Sequence, residues 1–326
     1  MSGPSREDRL LARLQDSAGE FVSGSELADL LAISRAAIGK RIANLRQKGW
    51  DIEGVHNRGY RLVAEADSLS PAVIATLLNT QWLGRVYFRH RQLDSTNEEA
   101  ERLAHGGAPH GTVVLADKQS AGRGRLGRRW YSPAGENLYF STVLRPGLEP
   151  SAAPPLSLAA AVGVAEGVRG FVGRPPQVKW PNDLLYGGRK FCGILLTMSA
   201  DAGHVRHVIM GLGLNINTTS FPPELQAQAT SLRLERKGSL QRALVLASVL
   251  NSLEPWIDRL LQNGSAPVIK AWLELADWMG QWITVNQPHG KVHGEALGLD
   301  ERGALCLRRK DGSLEHIWAG DVEITS

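Results

Sequence analysis

Cysteine is almost missing: Cys192 and Cys306 are the only two in 326 residues, far apart and without paired spacing. That scarcity excludes a disulfide framework and offers no cysteine zinc site, so both are expected as buried, reduced thiols. Aromatic residues make up only 6%, and no apolar run approaches the length needed to cross a bilayer. The opening MSGPSREDRL lacks the apolar stretch of a signal peptide. A cytoplasmic protein without a membrane partner is therefore expected. The nine histidines are scattered, with His204/His207 and His289/His293 the only close pairs and no acidic helper at metal-site spacing. They are expected to be structural or solvent-exposed, and no metal ligand set is assigned.

What is present is a globular composition, 43% hydrophobic and 21% charged, which argues against disorder. The length fits two or three domains. A net charge of +4 inclines the chain towards anionic partners, but its distribution matters more than its total.

Residues 6–63 read as three short helices and a hairpin, with Leu10, Leu11 and Leu14 on one face of the first. Ser23 and Glu26 form a capping box opening the second helix, and Ser34 caps a third whose buried stripe is Ile38, Ile42 and Leu45 and whose stop is Gly49. That helix carries Arg35, Lys40, Arg41 and Arg46 on its outer face, while Gly39 costs it about 1 kcal/mol relative to alanine. Trp50, Ile52, Tyr60 and Leu62 alternate around a turn at 56–59, giving a two-stranded wing. Gly24, Ser25, Ser34, Arg35, Ala36, Ala37, Lys40, Arg41 and the wing-tip Arg58 suit close approach to DNA bases and phosphates. A protein-contact module is the alternative reading of the same unit.

A polar linker spans 64–70. Beyond it the order is α+β, with strands expected over 86–89, 112–117, 138–144, 177–180, 183–186, 191–198 and 205–212 and helices over 96–104, 156–171, 240–261 and 267–278. From 281 onward, glycine-broken strands suggest a small β-barrel. The expected domains are 1–66, 67–278 and 279–326, a winged helix-turn-helix, a mixed-sheet catalytic domain and the barrel.

The densest chemical signal is the loop QSAGRGRLGRRW at 119–130: its glycines let main-chain amides approach an anion that its arginines neutralise. Gly122, Gly124 and Gly127 also match G-x-G-x-x-G, but a strand rather than a helix follows, which rejects a dinucleotide fold. KWPND at 179–183 and RKFCGIL at 189–195 put Lys179, Lys190 and Asp183 at one pocket edge, a set suited to carboxylate activation with magnesium-bound ATP. DSTN at 94–97 begins a helix with a Ser95/Glu98 capping box, and GLGLN at 211–215 ends a strand. Each of these two is weak alone.

In this order and spacing, GRGRLGRRW, KWPND, RKFCGIL, DSTN and GLGLN closely resemble the biotin protein ligases, and SRAAIGKRI with RGYRL resembles the winged helix of their bifunctional, operon-repressing type. The resemblance spans essentially the whole chain. It implies biotin and ATP with Mg²⁺ as substrates, no tightly bound prosthetic group, a biotin carboxyl carrier protein as acceptor, operator DNA of biotin-synthesis genes, and a homodimer promoted by biotinyl-5'-AMP. It further implies that Ser95, Thr96, Asn97 and Gln119 hold biotin, that Arg123, Gly124 and Arg125 close over the adenylate, and that Trp130 shields it. Lys190 is implied at the acyl phosphate, Lys179 and Asp183 at phosphates or metal, and Gly193 and Asn215 in the binding wall. Two rivals stay open: a lipoate or octanoate ligase, whose histidine-bearing glycine motif is not found, and a regulator whose ligase-like domain only senses its ligand.

Overall fold

The structure, a computed structural model, describes residues 6–17, 20–47, 50, 52–62, 68–201 and 203–324. The chain divides into two compact units, Met1–Leu78 with Gln241–Leu244 and Asn79–Leu240 with Val245–Ser326.

In the first unit, α1 (Arg6–Asp16), α2 (Gly24–Leu31) and α3 (Arg35–Gln47) precede a hairpin of β1 (Ile52–Val55) and β2 (Gly59–Leu62), and α4 (Pro71–Leu77) follows. Leu10, Leu14, Leu27, Leu31, Ile38, Ile42, Leu45, Ile52 and Leu62 are all buried and form one core, as the helical spacing requires. Only half of the first capping box is made. The Glu26 amide donates to Ser23 Oγ at 3.1 Å, but the Glu26 carboxylate accepts from Arg13, a charge-assisted partner stronger than the Ser23 amide. The wing is also tied backwards: Val22 and Tyr60 exchange backbone hydrogen bonds of 2.8 and 2.9 Å. Gly59, at φ +102, is required there, because a Cβ would lie 2.1 Å from the Val22 carbonyl oxygen. Gly49 and the first residues of the expected 64–70 linker lie outside the described residues.

The second unit is built on a seven-stranded mixed sheet in the order β3-β4-β5-β9-β8-β7-β6. Its strands are β3 (Tyr87–His90), β4 (Thr112–Ala116), β5 (Leu138–Leu144), β6 (Gln177–Lys179), β7 (Asp183–Tyr186), β8 (Arg189–Asp201) and β9 (His204–Leu214), with α5 (Thr96–His105) between β3 and β4 and α6 (Pro155–Val172) between β5 and β6. Only β3 and β4 run parallel; the remaining pairs are antiparallel. The two residues Gly187 and Gly188, both at positive φ, close the β7–β8 hairpin as its tight turn demands. After β9 come α7 (Pro223–Gln226), α8 (Leu232–Arg236), α9 (Arg242–Asn263) and α10 (Ala266–Leu273). α5 packs Ala100 and Ala104 against Val114, Val143 and Ile209.

Residues 150–172, which include α6, are long and apolar enough by length and composition to cross a membrane, contrary to the expectation that no such run exists, and 67% of the apolar 18-residue window within them is buried inside the protein. The reason is packing. Gly163 and Gly167, one turn apart, let α9 lie directly on α6: a Cβ on Gly167 would sit 2.7 Å from Val249 Cα, and one on Gly163 2.9 Å from Leu253 Cα.

α10 stops at Leu273, short of the expected 278. The Leu275 carbonyl, which a continued helix would have used internally, accepts the Val178 amide of edge strand β6 at 3.1 Å, and the Trp278 indole donates to the Val178 carbonyl at 2.8 Å.

The carboxyl-terminal module is a five-stranded antiparallel sheet, β10 (Trp282–Gln287), β11 (Gly290–Leu299), β12 (Leu305–Arg308), β13 (Leu314–Ile317) and β14 (Asp321–Ile324), in the order β13-β12-β11-β10-β14. Its end strands β13 and β14 do not pair with each other among the described residues, so the expected barrel is an open one.

Two further expectations need correction. Cys192 is buried, with its thiol pushed up by desolvation, but Cys306 is only half-buried. Glu101 stands beside His105 and His207, so acidic helpers do exist; the i,i+4 spacing of Glu101 and His105 was the sequence signal.

Gly167→Ala is expected to lower unfolding stability by about 1–3 kcal/mol, because its Cβ meets backbone that cannot yield. Gly170→Ala on the same helix meets nothing within 4 Å and is expected to raise stability by up to about 1 kcal/mol. Urea midpoints at unchanged slope read both.

Candidate active site

One cavity of about 730 Å³ opens in the second unit, and Ser95, Thr96, Asn97, Gln119, Arg123, Gly124, Arg125, Trp130, Lys179, Asp183, Lys190, Gly193 and Asn215 all line it. Segments distant in sequence therefore converge as the motifs implied.

At its α5 end, the expected Ser95/Glu98 capping box is not made: Ser95 forms no side-chain cap bond. Gln119, from the loop after β4, caps the helix instead, its Oε1 accepting the Thr96 amide at 2.9 Å and the Thr96 hydroxyl at 3.2 Å. Glu98 turns outward to pair with Arg123. Ser141 on β5 donates towards Asn97 Oδ1 at 2.7 Å and lies 2.8 Å from Thr96 Oγ1. Asn97 Nδ2 and Trp130 Nε1 are buried donors without a protein acceptor, and both residues face the cavity. A ligand with carbonyl or similar acceptors fits such donors.

The floor is bare backbone. Gly193 and Gly213 are cross-strand partners on β8 and β9, and the Trp130 indole lies over both: a Cβ on Gly213 would come within 2.5 Å of the ring, and one on Gly193 within 2.9 Å. Gly211 likewise leaves room for the Asn97 amide, which a Cβ would meet at 1.9 Å. The weak GLGLN motif is thus the strip on which two cavity side chains rest.

The charged edge comes from β6, β7 and β8. Lys190 Nζ lies 2.6 Å from Asp183 Oδ1 and 5.1 Å from the Trp130 ring centroid. Lys179 makes no ion pair among the described residues. Across the mouth, the arginine loop is fastened to the carboxyl-terminal module: Arg128 pairs with Asp321, and Arg125 reaches Asn182 Oδ1 at 3.4 Å and the Gly320 carbonyl at 3.3 Å. Burial pushes the Arg125 guanidinium below its usual range, with Asp321 opposing that shift. Asn215 spends its Nδ2 on the Thr230 carbonyl at 3.1 Å, fixing the wall behind Lys190.

Sequence reasoning missed Ser132, Ser141, Asn182 and Asp321. Ser132 accepts from Gln119 Nε2 at 3.1 Å. Ser141 is an ordinary inward position of a buried strand, and Asp321 lies in a module whose docking no local pattern announces. The lining residues include no histidine or cysteine, so the site offers fixed cations, amides and the carboxylates of Asp183, Asp321 and Glu323: it can polarise and position an anion, rather than supply a thiol or imidazole for covalent attack.

In the first unit, Ser34 caps α3 by accepting the Ala37 amide at 3.2 Å. Arg35, Ala36 and Lys40 are exposed beside it, and Ala37 and Arg41 are half-buried, as are Gly24 and Ser25 at the start of α2. Arg58 and Arg61 lie over the Phe21 ring at 4.3 and 4.7 Å, holding the wing tip. Arg46, expected on the outer face, is committed to the Ile52 carbonyl at 2.8 Å.

Comparison with known proteins matches residues 89–215 to the biotin/lipoate A/B protein ligase family, 6–61 to an HTH domain and 279–324 to the biotin protein ligase C-terminal domain. The bifunctional ligase/repressor BirA of Bacillus subtilis is 37% identical, over 97% of this chain and 97% of that protein. The Escherichia coli bifunctional ligase/repressor BirA is 32% identical over 98% and 97%. A biotin protein ligase from Aquifex aeolicus, solved in complex with biotin and ATP, superposes with a TM-score of 0.64 at 28% identity, covering 73% of this chain and 98% of that one.

Asp321→Ala is expected to release the arginine loop, so that trypsin cuts after Arg123, Arg125 or Arg128 on the order of two- to fivefold faster, as loss of about 1 kcal/mol of exposed pairing implies. Mass spectrometry of early fragments reads the sites; unchanged rates would mean the loop is not held from the carboxyl-terminal module.

Proposed function

The chain belongs to the biotin protein ligases in their bifunctional ligase/repressor form, and on that premise we propose which of its residues carry the work. The reaction joins biotin and ATP into biotinyl-5'-AMP with release of pyrophosphate, then passes the biotinyl group to a lysine of a biotin carboxyl carrier protein. The amino-terminal unit binds DNA as a repressor.

The observation that carries the assignment is the convergence of the α5 start, the arginine loop and the Lys190–Asp183 pair on one cavity. Biotin's polar ring end belongs at Thr96 and Asn97, where a buried amide donor awaits an acceptor. Its carboxylate then points towards Lys190. The ammonium stabilises charge on the carboxylate and α-phosphate as the acyl–phosphate bond forms, with Lys179 on the phosphates. Asp183, which neutralises Lys190 beforehand, is freed to meet the magnesium that ATP brings.

Arg123, Gly124 and Arg125 close over the adenylate, exchanging the Glu98 and Asp321 contacts for phosphate, while Trp130 keeps water from the acyl carbon. The carrier's lysine amine attacks that carbon, its bond to the phosphate oxygen breaks and AMP leaves. No covalent enzyme intermediate is involved. Asn215 acts by shaping the wall, since its donor is already spent.

For repression, Arg35, Lys40 and Arg41 lie on phosphates and the α3 start faces bases, in a homodimer reading two half-sites. Biotinyl-5'-AMP promotes that dimer by ordering the arginine loop beforehand. The protein works in the cytoplasm, where carrier and operator are found.

Lys190→Ala is expected to slow biotin-dependent pyrophosphate release from ATP and Mg²⁺ by about 10²–10³-fold, the usual scale for one preorganised charge. Release with lipoate instead of biotin would replace the substrate, and release with neither acid would leave a ligand-sensing regulator. Separately, Arg35→Ala is expected to weaken binding to the chain's own biotin-synthesis operator by about tenfold and to lower its salt dependence by one counterion. A gel-shift titration at several salt concentrations, with and without biotin and ATP, reads this. Unaltered affinity would remove α3 from the interface.

A further inference from the structure

Outside the cavity, at the other end of α5 from Thr96, three side chains converge that the ligase chemistry does not use. Glu101 and His105 lie one turn apart on α5, and His207 reaches them from β9. Glu101 Oε1 is 2.8 Å from His207 Nε2 and 3.1 Å from His105 Nε2. The two imidazoles meet edge to face with centroids 5.3 Å apart, and one ligand-capable atom from each residue lies within 4.8 Å of the others. His207 is 2% exposed, whereas the Glu101 and His105 side chains remain accessible at 35% and 65%. We propose that Glu101, His105 and His207 bind a divalent transition metal of the zinc class, which clips α5 to β9 and leaves its fourth position to water.

Two imidazole nitrogens directed at a single carboxylate oxygen are held together by protons; a metal ion replaces those protons and uses the same three atoms. Tetrahedral zinc with bonds near 2.1 Å sets its ligand atoms about 3.4 Å apart, so the Glu101 oxygen would move away from His105 by about 0.3 Å and from His207 by about 0.6 Å relative to the 3.1 and 2.8 Å seen here. The adjustment falls on His105 and Glu101, which are free to make it, while buried His207 supplies the fixed ligand. Two nitrogens and one carboxylate favour zinc, cobalt or nickel over magnesium, which keeps oxygen ligands and water. The site is therefore chemically distinct from the magnesium that accompanies ATP.

Arg145 reaches the same end of α5 but is engaged elsewhere, donating to the carbonyls of Ala104 at 2.8 Å, Ala108 at 3.1 Å and Arg206 at 3.4 Å. With both imidazoles neutral, Glu101 gives the ligand set one negative charge towards the cation. The mechanical consequence follows from placement. α5 begins at Thr96 and Asn97, and β9 carries Gly211 and Gly213 near its carboxyl end, so a metal joining their far ends braces two walls of the cavity without entering it.

The test is a Co²⁺ titration of the purified full-length chain, followed by visible absorption. A single saturable band of tetrahedral type, displaced by Zn²⁺ and not by Mg²⁺ and lacking thiolate charge transfer, is expected for the wild type. His105→Ala and Glu101→Gln should each weaken binding by more than about tenfold, with circular dichroism unchanged because both side chains are accessible. Zn²⁺ should raise the thermal midpoint of the wild type and leave that of His105→Ala in place. The proposal falls if the wild type shows no saturable band or both variants bind Co²⁺ as tightly as it does. It also falls if the band carries thiolate charge transfer that Cys306→Ser abolishes, which would place the metal at Cys306, whose Sγ lies 3.8 Å from His316 Nδ1, itself 2.9 Å from Asp300 Oδ2.

Discussion

The cavity depends on two glycines meeting across β8 and β9. Because Gly193 and Gly213 are cross-strand partners that carry no side chain of their own, the sheet presents bare backbone where the Trp130 indole lies. Trp130 in turn sits above the Lys190 ammonium, which Asp183 holds from the neighbouring strand. An alanine at either glycine would lift the indole and disturb the cation. The arrangement also leaves the indole N–H without an acceptor, a deficit that a polar ligand relieves. Space, charge and an unmet hydrogen bond are thus coupled through one ring.

A second dependence links the arginine loop to the carboxyl-terminal module. Trp180, next to Lys179, donates its indole N–H to the Gly303 carbonyl at 3.1 Å, so the module is docked beside the charged edge through a side chain that is 2% exposed. Asp321 then meets Arg125 and Arg128 across the mouth. The Arg128 end of this contact is accessible enough to be weak. A weak hold of this kind lets a terminal sheet without a lysine or arginine in the cavity bear on the arginine loop through one carboxylate.

Much of this was legible in the sequence. Helical spacing located the buried stripe of α3, paired glycines located the β7–β8 turn, and the spacing of the arginine loop, KWPND and RKFCGIL named the residues that do line the cavity. What failed had a common cause: local pattern cannot see a tertiary competitor. Ser95 and Glu98 look like a capping box, yet Gln119 takes the helix amide and Arg123 takes the glutamate, because partners brought by the fold outbid a neighbour three residues away. The early end of α10, drawn off by β6, is the same effect. So is Arg46, whose position on the outer face of α3 gave no hint that the Ile52 carbonyl would hold it.

The histidines carry that lesson furthest. Read along the chain, His105 and His207 are more than a hundred residues apart, and only the Glu101/His105 spacing hints at the cluster. The sheet order brings β9 beneath α5, and the same packing of Ala100 and Ala104 against Ile209 that seats the start of α5 at the cavity fixes its far end against His207. Small residues on one helix face therefore set both distances at once. Any force that changes how α5 lies on β9, at either end, is felt at Thr96 and Asn97, since a short helix packed on a sheet moves as a rigid body rather than bending within ten residues.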